Sequence, residues 1–178
     1  RPLWEPMPRM AGPAYTVRCA PGDNLMLHAA IYRAAPGAVI VVEAGDVDYA
    51  VSGGNVCAVA KRRCIAGFVI DGVIRDLAEV REDRFPVFAR GVIPIPGGKR
   101  GPGELNNTIC CGGVQVSAGD MVVADEEGVV VVPAAQQDAV LYAARARAAK
   151  DASLSLDEWE AQHRARIDDI LRDRGFVE

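Results

Sequence analysis

The sequence is poor in aromatic residues, contains two histidines, and has no apolar run of membrane-spanning length. A transmembrane helix needs ~20 consecutive apolar residues, so the sequence predicts no segment that crosses a bilayer. An excess of basic residues is also missing, because the formal net charge is -4 at pH 7. A protein without a basic surface field has little attraction for nucleic acid or anionic lipid. We therefore expect no nucleic-acid or membrane partner.

The five cysteines form neither a disulfide framework nor a zinc motif. Their number is odd, no two are spaced as C-x-x-C, and the adjacent Cys110 and Cys111 point to opposite faces of a predicted strand. This pattern is typical of reduced thiols and predicts a cytoplasmic protein. The motifs G-x-S-x-G, H-E-x-x-H and G-x-G-x-x-G are also missing. Serine hydrolase, zinc protease and dinucleotide-binding functions therefore gain no support.

Half of the residues are hydrophobic, and their spacing predicts an α/β core. Apolar runs predict strands over residues 14–20, 38–44 and 65–71, and helical spacing predicts helices over 25–35 and 55–64. Strands and helices that alternate in this way pair in parallel through right-handed crossovers. The first half of the chain is therefore expected to form a parallel sheet.

The second half of the chain has a different pattern. A strand is predicted over residues 85–91, followed by a Pro- and Gly-rich segment over 91–107 and by four short strands of a β-meander. From Ala134 onward the apolar spacing is helical. We expect an α/β domain over residues 1–133 and a helical extension over 134–178 that packs on a neighbouring subunit.

Two glycines precede the helix predicted over residues 55–64. Gly53 and Gly54 allow a ligand to approach the backbone, and the first N–H groups of the helix, from Asn55 onward, have no partner within it. Such a helix start can bind a carboxylate or phosphate without a side chain. The alternative is an ordinary loop-to-helix junction that needs a positive φ angle.

The stretch IDGVIRDLAE follows the third predicted strand, at the edge where open α/β sheets bind ligands. It places Asp71 and Asp76 near the strand end, with an Asp-Gly turn between strand and helix. If residues 73–81 are helical, Asp76 and Glu79 share a face and offer two oxygen ligands to Mg²⁺. Arg75 adds a planar fork for a carboxylate or an enolate. Spacing alone favours the alternative, a surface ion pair of Arg75 with Glu79 beside a solvated Asp76.

Two further features carry a weaker signal. His28 shares a predicted helix with Leu25 and Ala29, and this position is typical of a histidine packed in the core. The segment GGKRGPG over residues 97–103 resembles a phosphate-binding loop but lacks the Walker spacing. A flexible lid or a plain loop is the favoured interpretation.

Six motifs occur in an order typical of one family: GDNLMLHAAI, AVIVVEAGD, GGN, IAGFVIDGVIRDLAEV, FPVFARG and AGDMVVADEEGVVVVP. Together they resemble the RraA-like family, which includes the class II 4-hydroxy-4-methyl-2-oxoglutarate aldolases, over nearly all of residues 11–133. The resemblance implies a three-layer β/β/α fold, similar to phosphohistidine swivelling domains, and a homotrimer or hexamer. Family members begin with a helical segment, so we expect an N-terminal segment before Arg1 to be missing.

The resemblance also implies which residues form the site. The Arg-Asp pair of the family falls on Arg75 and Asp76, where Asp76 would hold Mg²⁺ or Mn²⁺ and Arg75 would contact the keto or enolate oxygen. The N–H groups of Asn55 and Val56, which follow the Gly53-Gly54 step, would bind the substrate carboxylate.

One position departs from the family pattern. The aldolases carry an acidic residue twenty-one positions before the arginine, where this chain has Gly54. Glu79 is one helical turn beyond Asp76 and is our candidate for the missing oxygen ligand. The family can also receive an acidic residue from the C-terminal tail of a neighbour, for which Glu158 and Glu160 are candidates. Glu158 is in addition predicted to form a capping box with Ser155.

The function that the resemblance implies is a divalent-metal-dependent aldolase. Its substrate would be a 4-hydroxy-2-oxo diacid cleaved to pyruvate, and oxaloacetate would be decarboxylated through the same enolate. One alternative is a non-catalytic regulator that binds a ribonuclease, although such members tend to lack a helical tail. A second is a quinone methyltransferase, for which the sequence shows no S-adenosylmethionine loop.

Overall fold

A mostly parallel sheet forms the centre of the computed structural model, which describes residues 1–176. Its parallel strands are β1 (Met10–Arg18), β2 (Val39–Glu43), β3 (Ala50–Ser52), β4 (Gly67–Ile74) and β5 (Val87–Val92). Strand β4 pairs with β2 and then with β3 along one edge, and with β5 along the other. Strand β2 begins with four buried β-branched residues, which is typical of a central strand covered on both faces.

Three short helices connect the parallel strands: α1 (Leu25–Ala30), α2 (Gly54–Arg62) and α3 (Leu77–Glu82). Phe68, Phe85 and Phe88 are the largest fully buried side chains, and the rings of Phe68 and Phe85 meet edge to face with centroids 4.8 Å apart. Helix α2 begins directly after β3 and helix α3 directly after β4, so the first residues of both helices follow the ends of parallel strands.

Five short strands complete the first unit: β6 (Glu104–Leu105), β7 (Ile109–Cys111), β8 (Val114–Val116), β9 (Met121–Asp125) and β10 (Gly128–Val132). Strands β9 and β10 form a hairpin that extends the sheet antiparallel to β1, whereas β7 and β8 form a separate two-stranded hairpin. The four strands predicted after residue 107 are therefore present, although they belong to two sheets. The mixed α/β fold is confirmed.

The chain divides into two compact units, Arg1–Ala135 and the residues from Gln136 onward. The second unit contains α4 (Gln137–Ala152) and α5 (Leu156–Asp173), and no residue of these two helices is buried. Glu158 and Ser155 form the predicted capping box, with each side chain bonded to the other's backbone N–H. That these helices pack on a neighbouring subunit stays a prediction.

The turn predicted at Asp71-Gly72 is wrong, because β4 continues through both residues to Ile74. A side chain on Gly72 would meet the Ala44 Cβ at 2.5 Å, so this glycine is required for close packing rather than for a bend. The helix predicted from residue 73 begins instead at Leu77. Strand β3 was missed, since three residues are too few to show a period of two.

None of the helices described between residues 1 and 176 is long and apolar enough to cross a membrane.

Candidate active site

The Gly53-Gly54 step lies directly beneath the side chains of the Arg-Asp pair. A side chain on Gly53 would lie 2.5 Å from Asp76 Oδ2 and 2.9 Å from Arg75 Cγ. The φ angle of Gly53 is -162°, which any residue can adopt. Glycine is therefore required here for space, and the interpretation that the junction needs a positive φ angle is wrong for Gly53.

Asp76 is the second of the two residues between the end of β4 at Ile74 and the start of α3 at Leu77, and it is the N-cap of α3. Its backbone is left-handed, with φ 57° and ψ 41°, a conformation that aspartate tolerates better than most residues. Its Oδ2 accepts a hydrogen bond from the Gly54 N–H at 3.2 Å and lies 3.4 Å from Arg75 Nε. Oδ1 has no hydrogen-bond partner among residues 1–176, and the side chain stays 30% exposed.

Arg75 is fixed by its backbone and free at its tip. Its N–H donates to the Ser52 carbonyl at 3.0 Å, which ties it to the end of β3, while its side chain is 45% exposed. The ion pair predicted between Arg75 and Glu79 is not formed, because Arg75 pairs with Asp76 instead. The guanidinium therefore keeps donors for a ligand.

These residues line a cleft of about 80 Å³, which we call the Arg75 cleft. The N-terminal residues of α2, Asn55 and Val56, contribute to its wall together with Gly53. The polar side chains that line it are Asn24, His28, Ser52, Asn55, Arg75, Asp76 and Lys99. The N–H groups of Asn55 and Val56 lie in the first turn of α2 and have no partner within the helix. Carboxylate or phosphate is the ligand that such a wall favours.

Glu79 and Gly54 lie against each other just outside the cleft lining. A side chain on Gly54 would overlap the Glu79 carboxylate and lie 2.9 Å from its Cβ. The carboxylate of Glu79 thus occupies the space into which an acidic residue at position 54 would project. Asp76 Oδ2 bonds to the Gly54 N–H, so two carboxylates meet at one backbone position.

Sequence reasoning missed the wall of the cleft that is formed by Asn24, His28 and Lys99. Lys99 reaches it because the loop over residues 96–101 is fastened, rather than free as a lid. The buried carboxylate of Asp23 accepts hydrogen bonds from the N–H groups of Arg100 and Gly101. These bonds lower the pKa of Asp23 against the opposing effect of burial, which is the largest single influence. In the sequence, the polar turn Gly22-Asp23-Asn24 was the signal that could have indicated this wall.

The prediction that His28 packs in the core is wrong. The buried residues of α1 are Leu27 and Ala30, whereas His28 is half-buried and lines the cleft. Burial, assisted by the positive charge of Lys99, lowers the pKa of His28, and the negative charge of Asp23 opposes this.

Asn24 carries a buried acceptor without a partner at this wall. Its Nδ2 donates to the Gly97 carbonyl at 3.2 Å, which fixes the orientation of the amide. Its Oδ1 is buried and is the one such side-chain atom without a hydrogen-bond partner in residues 1–176. An unpaired buried acceptor costs ~1–3 kcal/mol, so a donor at this position would stabilise the wall.

A larger cavity of about 420 Å³ lies elsewhere in the first unit, and we call it the apolar cavity. It shares no lining residue with the Arg75 cleft and is bounded mainly by valines of the sheet and of strands β8 to β10. Asp71 lies at its margin, where it pairs with Arg90 and accepts the Gly112 N–H at 2.9 Å. The hydrogen bond from Arg90 lowers the pKa of Asp71. Asp71 therefore does not belong to the predicted site.

The comparison with known families agrees with the fold. Residues 1–131 match the model of the RraA-like family, described as Aldolase/RraA. The chain belongs to the RraA-like family. This confirms the resemblance that the six motifs carry. The Arg75 cleft brings together residues that the resemblance implies: Gly53, Asn55, Val56, Arg75 and Asp76. Gly54 and Glu79 lie adjacent to it.

Relatives within the RraA-like family carry different functional names. A protein of Halalkalibacterium halodurans, 42% identical over 96% of this chain and 78% of its own, is provisionally named a 4-hydroxy-4-methyl-2-oxoglutarate aldolase. A Geobacillus kaustophilus structure, 35% identical over 70% of this chain and 78% of its own with a TM-score of 0.67, is named an S-adenosylmethionine:2-dimethylmenaquinone methyltransferase.

A third relative, from Streptomyces coelicolor, is described as an unusual member of the RNase ES inhibitor RraA family. It is 29% identical, covers 93% of this chain and 82% of its own, and has a TM-score of 0.72. Coverage of 93% includes part of the helical extension. The presence of that extension therefore does not separate an aldolase from a ribonuclease inhibitor.

Proposed function

We propose that this protein is a divalent-metal-dependent aldolase that cleaves 4-hydroxy-2-oxo diacids to pyruvate. Oxaloacetate would be decarboxylated at the same site, since both reactions produce pyruvate enolate. The observation that carries the proposal is the joint position of Arg75 and Asp76 over Gly53, beside the open N-terminus of α2. This arrangement offers a cation, a metal ligand and an anion-binding backbone to one small ligand.

The chain's own groups would hold the pyruvyl part of the substrate at two points. The N–H groups of Asn55 and Val56 would bind the C1 carboxylate, as helix starts do. The exposed guanidinium of Arg75 would donate to the C2 oxygen, where negative charge develops as the enolate forms. Donors aimed at developing charge are worth roughly 10²–10³ in rate.

The carboxylates of Asp76 and Glu79 fit the ligand requirement of Mg²⁺ or Mn²⁺. In the part of the chain that the structure describes, no three His, Cys, Asp or Glu side chains group closely enough to hold a metal. Two carboxylates that meet at Gly54 suit a hard cation that keeps most of its waters. When bound, such a metal would act as a Lewis acid on the C2 oxygen.

The distal carboxylate of a diacid would pair with Lys99. This residue lies on the fastened 96–101 loop and lines the cleft with Arg75, so two cations would face a dianionic substrate. A monocarboxylate would leave Lys99 without a partner. We therefore expect diacids to be preferred.

A pyruvate-release assay tests the proposal with oxaloacetate and a panel of 4-hydroxy-2-oxo acids, each with and without Mg²⁺. Asp76→Asn is the informative variant, because asparagine tolerates the left-handed backbone of Asp76 while losing its charge. Arg81→Ala is the matched control, since Arg81 is exposed on α3 and does not line the cleft. The proposal fails if wild type releases no pyruvate or if Asp76→Asn matches Arg81→Ala.

The same samples separate the other functions named for relatives. Capture of a ribonuclease by a protein without metal-dependent turnover would favour the regulator. Binding of S-adenosylmethionine in calorimetry would favour the methyltransferase.

A further inference from the structure

We propose that His28 is the proton acceptor of aldol cleavage and takes the C4 hydroxyl proton of the bound 4-hydroxy-2-oxo acid. This inference rests on the proposed function and assigns the base that the Arg-Asp motif itself does not contain. It adds a catalytic residue from a helix that the motif does not include.

The lining of the cleft places His28 beside a bound substrate. The Arg75 cleft measures about 80 Å³, and His28 lines it together with Arg75 and Asp76. A ligand bound between these three residues contacts His28 as well as Arg75. A general base must lie within hydrogen-bond reach of the proton it accepts.

The imidazole of His28 is free to bind a ligand. It is half-buried, yet neither ring nitrogen has a hydrogen-bond partner in residues 1–176, where only the backbone N–H of His28 is bonded, to the Asn24 carbonyl. The buried Oδ1 of Asn24, one helical turn before His28, is likewise unpaired. The ring nitrogens of His28 are accessible, and the buried Asn24 Oδ1 is an acceptor on the same wall that a donor from a ligand would satisfy.

The other ionisable groups of the cleft are poor proton acceptors. Arg75 and Lys99 are cations and have no lone pair to offer at neutral pH. Asp76 is held by the Gly54 N–H and by Arg75, and it is our metal ligand. Behind the wall, Cys57 is buried, and burial raises the pKa of its thiol to about 12.

The surroundings of His28 keep it neutral and ready to accept a proton. Burial first, and then the charge of Lys99, lower the pKa of His28, while Asp23 acts in the opposite direction. Arg75 and Asp76 face the same cleft with opposite charges. A neutral imidazole at pH 7 fits the general-base role.

The proposed step balances within the substrate and the imidazole. The C4 hydroxyl proton moves to a ring nitrogen of His28, C4 becomes a carbonyl, and the C3–C4 bonding pair moves to the pyruvyl fragment as its enolate. The imidazolium then returns the proton to C3, which gives pyruvate and regenerates neutral His28. No oxidant, reductant or other reactant is needed.

Oxaloacetate decarboxylation provides the contrast, because oxaloacetate in its keto form has no C4 hydroxyl proton to remove. Loss of CO₂ delivers the same enolate without a base, and solvent can protonate C3. His28 should therefore be needed for cleavage and nearly dispensable for decarboxylation, whereas Arg75 should be needed for both.

The test compares His28→Gln with His163→Gln, which removes the only other histidine of the chain. We expect His28→Gln to lower kcat for 4-hydroxy-2-oxo acid cleavage about 10²- to 10⁴-fold and to leave decarboxylation close to wild type. His163→Gln should leave both unchanged. Oxalate, a mimic of the enolate, should bind His28→Gln as it binds wild type, which shows that the cleft is intact.

Several outcomes would overturn the assignment. Equal losses of both reactions in His28→Gln would make His28 a structural or binding residue, and unaffected cleavage would remove it from the mechanism. In both cases the aldolase proposal survives, because Arg75 still controls both reactions. If wild type catalyses neither reaction, both proposals fail together.

The pH dependence gives an independent readout. With two histidines, imidazole NMR signals can be assigned by comparing wild type with His163→Gln. We expect His28 to titrate below its ordinary pKa, ~6.5, and cleavage kcat/KM to fall as pH drops through the same value. The kcat/KM of decarboxylation should not fall in this pH range. A fall at the same pH in both reactions would contradict the role of His28 as the base of cleavage.

Discussion

The Arg75 cleft and the apolar cavity differ in size and in the number of polar groups that are left without a partner. The cavity is about five times larger, at 420 Å³ against 80 Å³, yet its one carboxylate, Asp71, is already paired with Arg90. The cleft is small, but Arg75 keeps an exposed guanidinium, and Asn24 and His28 keep unpaired polar atoms. Unsatisfied polar groups mark the site better than volume does.

The largest effect is expected when one arginine at each of the two places is replaced by alanine. Arg75→Ala removes the donor to the developing enolate and should lower kcat for both reactions by roughly 10²–10³. Arg90→Ala, at the apolar cavity, removes the partner of Asp71 and should leave kcat unchanged. Steady-state assays measure kcat for both variants. A comparable loss of kcat in Arg90→Ala would show that the apolar cavity also takes part in the chemistry.

The next effect concerns Glu79 and Gly54, which compete for one space. Gly54→Asp should disturb the site because its side chain overlaps Glu79. Glu79→Ala should weaken Mg²⁺ activation by roughly 10–100-fold, the range reported for metal-supporting groups. The double variant should recover much of that loss, because the new carboxylate fills the space left by Glu79.

The double-variant result is measured as the Mg²⁺ concentration that gives half-maximal pyruvate release. Additive losses would show that Glu79 and position 54 do not share a function. Gly113→Ala in the β7–β8 hairpin serves as a control, since it strains a glycine with φ 82° without affecting the cleft.

A smaller effect is expected at the loop that closes the cleft. Lys99→Ala should raise KM for diacids about tenfold, the value of one charged hydrogen bond, with less effect on monocarboxylates. Arg100→Ala is the matched control, because only the backbone N–H of Arg100 is bonded to Asp23. Equal changes of KM for both substrate classes would remove Lys99 from the distal carboxylate.

The smallest effect belongs to the margin of the apolar cavity. The pKa of Asp71 is lowered in the folded protein, so its contribution to stability is complete above the unfolded pKa, ~3.9, and is lost as pH falls through the folded pKa. Asp71→Asn should therefore lower the urea midpoint at pH 7 more than at pH 3. If Asp71→Asn lowers the urea midpoint equally at pH 7 and pH 3, the ion pair of Asp71 with Arg90 contributes nothing to stability.

The sequence predicted the buried strands and the site pair because both depend on local patterns. Continuous apolar runs identified β2 and β4, and the family motif identified Arg75 and Asp76. The role of Gly72 could not be predicted in this way, because its reason is contact with Ala44, which is distant in sequence.

The wall of Asn24, His28 and Lys99 was beyond sequence reasoning for a similar reason. Its assembly depends on the carboxylate of Asp23, which fastens a loop more than seventy residues away. Helical spacing correctly placed His28 on α1 but assigned it to the wrong face, since Leu25 is exposed and Leu27 is buried.

Pyruvate release from 4-hydroxy-4-methyl-2-oxoglutarate by chelator-treated protein tests the central claim most directly. We predict no release before metal is added, full release after Mg²⁺ is restored, and no restoration in Asp76→Asn at any Mg²⁺ concentration. Release that is independent of metal, or restoration that is equal in wild type and Asp76→Asn, would contradict the claim that the Arg75 cleft is a metal-dependent aldolase site.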